Sequence, residues 1–291
     1  MVKIKGESPM VTRYANCTNE WFEMICESLE REDIEISGVS LPGFPENQIQ
    51  INTTGQAGRD SLYEAFIFYQ DCIKAFSRTQ NFRSDDKKLL DFGVGWGRIL
   101  RFFIKDFFPK NLFGVDINEE LLNICKSTFK WGTFLKSQAF PPIDLPEKSI
   151  DFIIGYSVFS HLSEEACLSW INEFSSILRP GGMIALTTRG RWFLDFCEAL
   201  KTKKVEGYKK ALSNLFDDFD KARQKYDNGE FLHSNIEGVS GGRGAVLNPS
   251  FYGETFIPEQ YAKKTYSPYF KAFDFVFDQS RSVNPIMFFR K

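Results

Sequence analysis

The spacing of apolar positions changes in character along the chain. From Asn19 to Arg31 it is helical, and it predicts a first helix, followed by a loop with Gly38, Pro42, Gly43 and Pro45. Leu62, Phe66, Tyr69, Ile73 and Phe76 line one face of a second helix, and Ser61 with Glu64 has capping-box spacing at its start. From Lys87 short apolar runs alternate with helical patterns. Leu89 to Phe92 reads as a strand, Arg98 to Phe108 as a helix stopped by Pro109, and Leu112 to Asp116 as a second strand. A helix follows from Asn118, where Glu119 and Glu120 suit the positive end of the dipole, and then a weaker strand near Thr133 to Lys136. Ile150 to Gly155 is continuously apolar, as a buried parallel strand requires. Ser163, Glu164 and Glu165 open a helix with Cys167, Trp170, Ile171, Phe174 and Ile177 on its buried face; Pro180-Gly181-Gly182 ends it, and Met183 to Thr187 is the fifth strand.

Strands alternating with helices at this spacing predict βαβ units, right-handed crossovers and a mostly parallel, doubly wound α/β sheet covered on both faces. After Gly190 the rhythm breaks. Residues 191–229 read as two charged amphipathic helices, 237–245 as a glycine-rich loop, Pro258 as the start of a short helix, and Phe270 to Phe277 and Pro285 to Phe289 as closing strands. The organisation expected is one domain of seven strands: an N-terminal helical segment (1–85), a core (86–190), a helical and loop insertion (191–254) and a closing helix and strands (255–291).

Composition narrows this picture. Of 291 residues 43% are hydrophobic and 25% charged, which excludes wholesale disorder. Lys and Arg total 36 against 38 Asp and Glu, so the chain lacks the broad basic footprint of a nucleic-acid binder. The 31 phenylalanines are read as core and pocket walls. The six cysteines form no C-x-x-C pair, which removes the simplest zinc and redox motifs and leads to an expectation of reduced thiols in a cytoplasmic protein. MVKIKGESPM carries no apolar stretch, so no signal peptide is expected, and no apolar run approaches the roughly 20 residues of a membrane span. No His, Asp and Glu cluster has ligand spacing, so no metal is expected.

The chemistry concentrates in Asp91-Phe92-Gly93-Val94-Gly95-Trp96-Gly97-Arg98, between a predicted strand and a predicted helix. Glycines there permit a tight turn and a close ligand approach at the carboxyl end of a strand. The spacing is G-x-G-x-G, not the G-x-G-x-x-G of dinucleotide binders, and Asp91 would repel a pyrophosphate while suiting loop amides or a cationic group. Asp116 ends the second strand 23 residues after Gly93, the place for a carboxylate that accepts ribose hydroxyls. An adenosine with a positive charge and no pyrophosphate fits; S-adenosylmethionine is such a molecule.

LLDFGVGWGR, FGVDIN, SIDFIIGYSVFSHLS and ILRPGGMIALTTRG, in this order, resemble the class I S-adenosylmethionine-dependent methyltransferases over about residues 86–190. The resemblance implies a Rossmann-like fold. Gly93, Gly95 and Gly97 would hold the methionine part of the cofactor, and Asp91 the loop or the cofactor's amino group. Asp116 would bind the ribose and Ile117 would pack on the adenine. Gln138 and Ala139 would lie along the adenine, with Gln138 where many members carry an acid. Tyr156 and Ser157 would approach the transferring methyl group. Two departures stand out: Trp96 in place of a small residue, and Arg98 where Thr or Ser is frequent. Arg98 has two readings, a partner for a cofactor or substrate carboxylate, or for a neighbouring acid.

Methyl transfer to a hydroxyl or amine gains from a general base, whereas a thiolate or carboxylate needs none. His161 is the candidate base, against the alternative of a structural histidine in an S-x-x-H-L turn. Arg189, Tyr252 and Glu254 are candidates for substrate contact, as is Tyr156. His233 could face substrate, and Arg59 could reach the cofactor carboxylate. The glycine-rich loop lacks a following Lys-Ser/Thr and is not a P-loop; a mobile lid is the reading it supports. The charged helices form a solvated cap or a dimer interface. The function expected is methyl transfer to a small-molecule acceptor, with O-methylation of a carbohydrate or natural product as its refinement. The rivals are a non-catalytic cofactor-binding protein of the same fold and a nicotinamide-dependent oxidoreductase.

Overall fold

Trp21, Phe22 and Ile25 share one face of the first helix, α1 (Thr18–Glu27), and all three are buried; the Trp21 indole donates to the Phe102 carbonyl at 3.0 Å. The computed structural model describes residues 18–31, 34–36, 38–79, 82, 85–235 and 246–291. Cys17 and the 237–245 loop lie outside them. Where a plain loop was expected, the chain forms a small antiparallel pair, β1 (Glu35–Ile36) with β2 (Val39–Ser40), and then helix α2 (Asn47–Thr54). Gln50 of α2 is buried, donating to the Pro45 carbonyl and accepting from the Gly58 amide, both at 2.9 Å, which ties the helix to its flanks.

Helix α3 (Gly58–Phe76) starts three residues before the predicted cap, so the capping box does not form. Ser61 and Glu64 instead receive the Arg98 guanidinium: Nη1 donates to the Ser61 carbonyl at 2.9 Å and to Glu64 Oε2 at 2.7 Å. Strand β3 (Leu89–Phe92) follows as predicted. The expected helix from Arg98 to Phe108 is a series of turns and a 3-10 helix, Leu100–Lys105. Every side chain of that segment is buried, so it has no polar face to turn to water, and packing sets its tight winding. Its cation Lys105 is held at 2.9 Å by Asp106, which also accepts from the Tyr69 hydroxyl.

Strand β4 (Leu112–Asp116) leads into α4 (Glu119–Thr128), whose first amides are capped by Asn118 Oδ1. Then come β5 (Thr133–Lys136), β6 (Ile150–Gly155), α5 (Glu164–Ile177) with the predicted buried face, and β7 (Leu178–Thr187). β7 begins at Leu178 and runs through Pro180-Gly181-Gly182, ahead of the start expected at Met183. The described residues of the insertion hold three α-helices where two were expected, α6 (Arg191–Ala199), α7 (Gly207–Ser213) and α8 (Phe219–Asp227). It also contributes an unpredicted antiparallel pair, β8 (Leu232–Ser234) with β9 (Glu254–Phe256). Helix α9 (Glu259–Tyr266), β10 (Ala272–Val276) and β11 (Ile286–Arg290) close the chain.

The main sheet has seven strands in the order β10-β11-β7-β6-β3-β4-β5. β3 pairs parallel with β4 and β6, β4 parallel with β5, and β10 antiparallel with β11. Chain order reverses at β3, which makes the loop after β3 a topological switch point, where open α/β sheets bind ligands.

Two compact units share this fold. One comprises the described residues up to 137 with 144–154 and 178–183; the other comprises 138–143, 155–177 and the described residues from 184 to 291. The first is cored by aromatic rings: Phe152 of β6 lies 4.5 Å from Phe76, 5.5 Å from Phe82 and 5.6 Å from Phe107. The second has an apolar cluster of Phe193, Leu194, Leu212, Phe219 and Phe256, to which β8 adds Leu232. The five described cysteines are buried and form no disulfide. No described helix is long and apolar enough to cross a membrane.

Buried Asp151 in β6 pins the first unit. Oδ1 accepts from Lys87 Nζ at 3.0 Å, and Oδ2 from the Lys88 amide at 3.0 Å and from Arg179 Nη1 at 2.9 Å. Asp151→Ala leaves a partly buried amide and two partly exposed cations without their acceptor, and is expected to cost about 2 kcal/mol. Urea unfolding monitored by tryptophan fluorescence checks this: the midpoint falls with the slope unchanged.

Candidate active site

The β3–β4 register places Asp91 beside Gly114 and Phe92 beside Val115, so the turn after β3 begins where β4 ends. The amides of Gly93 and Val94 both donate to the Val115 carbonyl at 2.9 Å. Gly93, Gly95 and Gly97 have φ of 77°, 55° and 82°, a region that side chains disfavour. At Gly97 space also forbids a side chain, since a Cβ would lie 2.4 Å from the Phe129 ring. At Gly95 a Cβ would meet no protein atom within 4 Å, so a ligand can approach that backbone closely. Asp116 braces the turn: Oδ2 accepts from the Gly95 amide and Oδ1 from the Asn118 amide, each at 2.8 Å. Ile117 beside it is half-buried.

Asp91 is 1% exposed, and its Oδ2 has no hydrogen-bond partner among the described residues. Burial, reinforced by the Asp116 charge, raises its pKa to about 8; Arg98 and the Leu100 amide pull the other way without cancelling the effect. The two departures in the loop find their reasons in the same unit. Trp96 turns inward, 1% exposed, and donates from Nε1 to Thr53 Oγ1 at 3.0 Å, so α2 packs on the glycine turn. Arg98 pairs with the neighbouring acid Glu64. Arg59 pairs with Glu23, the two being bonded from both guanidinium Nη atoms, and it is exposed.

Arg101 escaped notice in the sequence. Fully buried, it donates to the carbonyls of Gly97, Pro42 and Gly43 at 3.2, 3.3 and 3.2 Å, and its guanidinium lies 3.8 Å over the Phe44 ring. Burial lowers its pKa to about 9. Only its place one turn after the last glycine hinted at this tie.

In the second unit His161 and Arg189 converge on Glu254. The carboxylate is 0% exposed and accepts from Arg189 Nε at 2.9 Å and from the Tyr208 hydroxyl at 2.5 Å, with His161 Nδ1 at 3.2 Å. Burial pushes its pKa up, but the charges of His161 and Arg189 outweigh that and hold it down at about 2. Arg189 also donates to Asn284 Oδ1 at 3.2 Å, so this guanidinium is committed to the protein. His161 stacks on Tyr252, with centroids 4.9 Å apart and planes 12° apart. Ser157, at φ 59°, is a strained non-glycine residue whose amide donates to Thr187 Oγ1 at 2.7 Å. Tyr156 is buried beside it. His233 meets Thr255 Oγ1 at 2.8 Å, and burial lowers its pKa. Gln138 is exposed, while the Ala139 carbonyl accepts from the Trp170 indole at 3.0 Å. Tyr208, Thr187 and Asn284 joined this cluster without any sequence signal, because their roles depend on segments far apart in the chain. No group of three or more His, Cys, Asp or Glu among the described residues is placed to hold a metal.

Residues 89–182 match a sequence model whose family is described as a methyltransferase domain. Those residues hold the braced glycine turn and the β3–β4 acid pair. Over these residues the chain is similar to that methyltransferase domain family. An uncharacterized methyltransferase of Oceanobacillus iheyensis is 27% identical over 129 residues, 44% of this chain and 56% of that protein. One from Anoxybacillus flavithermus is 27% identical over 179 residues, 60% and 77% of the respective chains. The alignment thus spans little more than half of the Oceanobacillus relative. Among solved structures, an S-adenosylmethionine-dependent methyltransferase of Mesorhizobium loti matches with a TM-score of 0.50 at 11% identity, covering 75% of this chain and 96% of that one. One from Leishmania major matches with 0.50 at 13% identity, covering 93% and 82%. At these identities the structural likeness speaks to the fold alone.

S-adenosylmethionine is the cofactor of the methyltransferase family, and the first unit fits it. An unpartnered buried carboxylate oxygen at Asp91, next to a second acid, suits a cationic ligand and opposes a pyrophosphate. Asp91 stabilises the fold only while protonated. Its pKa is 3.8 when unperturbed and about 8 when folded, so that contribution is complete below about 3.8 and is lost as pH rises through about 8. Asp91→Asn in the methyltransferase domain should therefore raise the melting temperature relative to wild type increasingly from acid to alkaline buffer. A pH series of thermal melts checks this, with the two proteins converging at the acid end.

Proposed function

We propose that the chain is an S-adenosylmethionine-dependent methyltransferase acting on a small-molecule acceptor, with a hydroxyl of a carbohydrate or natural product as the finer reading. The observation that carries the proposal is the pair of carboxylates on the glycine turn, one braced by amides and one buried without a partner for Oδ2. When bound, the cofactor supplies a methyl group on a positively charged sulfur.

In this reading Asp116 accepts from the ribose hydroxyls while holding the turn, Ile117 packs on the adenine, and the Gln138–Ala139 segment borders it. The backbone at Gly93, Gly95 and Gly97 takes the methionine end, and Asp91 takes its cationic group. Tyr156 and Ser157 are assigned to the methyl end. His161 accepts a proton from the acceptor, and Tyr252 borders it. Arg189 and Glu254 serve as supports rather than substrate contacts, because each already satisfies the other. The near-neutral charge supports a small acceptor over nucleic acid.

Calorimetric titration with S-adenosylmethionine, S-adenosylhomocysteine and NAD tests the proposal. Saturable binding of the two sulfur ligands, with none for NAD, is the expected outcome; NAD binding alone would overturn it. Asp116→Ala should weaken S-adenosylmethionine by about 10- to 100-fold, the worth of hydrogen bonds to a charged acceptor. A cationic ligand favours ionised Asp91, so affinity should rise with pH and level off above about 8, with proton release on binding below that point. Repeating the titration in buffers of different ionisation enthalpy reads the released proton directly.

A further inference from the structure

The only two histidines of the chain, 72 residues apart in sequence, both lie under the electrostatic influence of Glu254. The hydrogen bonds of His161 settle its protonation pattern. Nδ1 stands 2.8 Å from the Gly253 carbonyl oxygen and 3.2 Å from Glu254 Oε1. A backbone carbonyl only accepts, so Nδ1 must carry the proton. The neutral ring then presents a lone pair on Nε2, which lies 3.5 Å from Ser157 Oγ.

The surroundings hold this ring in place. The Gly253 amide donates back to the His161 carbonyl at 2.7 Å, so the 161 turn and the strand entering β9 are clasped from both sides. Only glycine allows that approach, since a Cβ at 253 would lie 2.2 Å from the Ser234 carbonyl oxygen. Tyr252 covers one ring face. Arg189 and Tyr208 bond the carboxylate of Glu254, so it cannot swing away from the imidazole.

We infer that Glu254 is a positioning residue which, with the Gly253 carbonyl, keeps the proton of neutral His161 on Nδ1, so that Nε2 takes the proton an acceptor hydroxyl or amine gives up. The inference deepens the proposed function and relies on it for its chemical use. The acceptor's O–H or N–H bond breaks and a new N–H bond forms at Nε2. The electron pair left on the acceptor atom bonds the methyl carbon, whose former bonding pair stays on sulfur. The imidazolium so formed lies 3.2 Å from a carboxylate that offsets its charge. A carboxylate or thiolate acceptor would gain nothing from this arrangement.

The test uses the full chain labelled with 15N-histidine, in alkaline buffer. A two-bond 15N–1H correlation spectrum shows two rings, and His233→Gln identifies which is His161. In wild type, His161 should show a protonated Nδ1 and an unprotonated Nε2. Glu254→Gln strands the Arg189 charge, so it is paired with Arg189→Gln to remove both members of the buried ion pair together. In that double variant the Nε2–H tautomer should become detectable, with both nitrogen shifts moving toward a common average. A wild-type ring protonated on Nε2, or a folded double variant with unchanged shifts, overturns the positioning role. S-adenosylmethionine titration of the same samples separates the two ideas: a chain with the expected tautomer that binds no cofactor loses the methyltransferase reading while the role of Glu254 in holding the ring stands.

Discussion

The carboxylate of Asp116 is shared between the amides of Gly95 and Asn118, and this one contact joins the turn after β3 to the turn after β4. It exists because the two strands pair in parallel and end level with each other. Three glycines in the left-handed region follow β3, a conformation that glycine reaches without strain. Asp116 holds the turn on one side. On the other, Arg101 holds the Gly97 carbonyl and Trp96 holds Thr53. The glycines give the turn freedom to form, and these three side chains remove the freedom to leave it.

Two buried acids show how neighbours, rather than burial, decide protonation. Asp91 and Glu254 are equally removed from water, and burial raises both. Asp91 has another carboxylate beside it and is pushed to about 8, whereas Glu254 has Arg189 and His161 beside it and is held at about 2. The first is suited to waiting for a cation, the second to carrying a permanent negative charge at a histidine.

Much of the fold was legible in the sequence because its strands are short apolar runs bounded by glycine, and its helix α5 has a clean apolar face. α2 was not legible, since Asn47 to Thr54 is polar at nearly every position and is stabilised by the buried Gln50. Nor was the 3-10 segment, whose all-round burial erases the contrast between faces on which helical periodicity depends. The β8–β9 pair joins three-residue strands far apart in the chain, too short for alternation to register. Ser61 and Glu64 had the right spacing for a cap but serve Arg98, 34 residues from Glu64, which local spacing has no means of reporting.

By itself, the sequence determined the alternation of strands and helices, the glycine turn and the acid that ends β4, because each is a local pattern read within a few residues of the backbone it shapes. Tertiary structure alone decided that Trp96 fills a core, that Arg98 and Arg189 are already paired, and that Glu254 stands at the Nδ1 of His161. Those assignments rest on distances between segments 34 to 93 residues apart. At such separations charge compensation and burial depend on how the chain closes on itself, and no local pattern of residues encodes them.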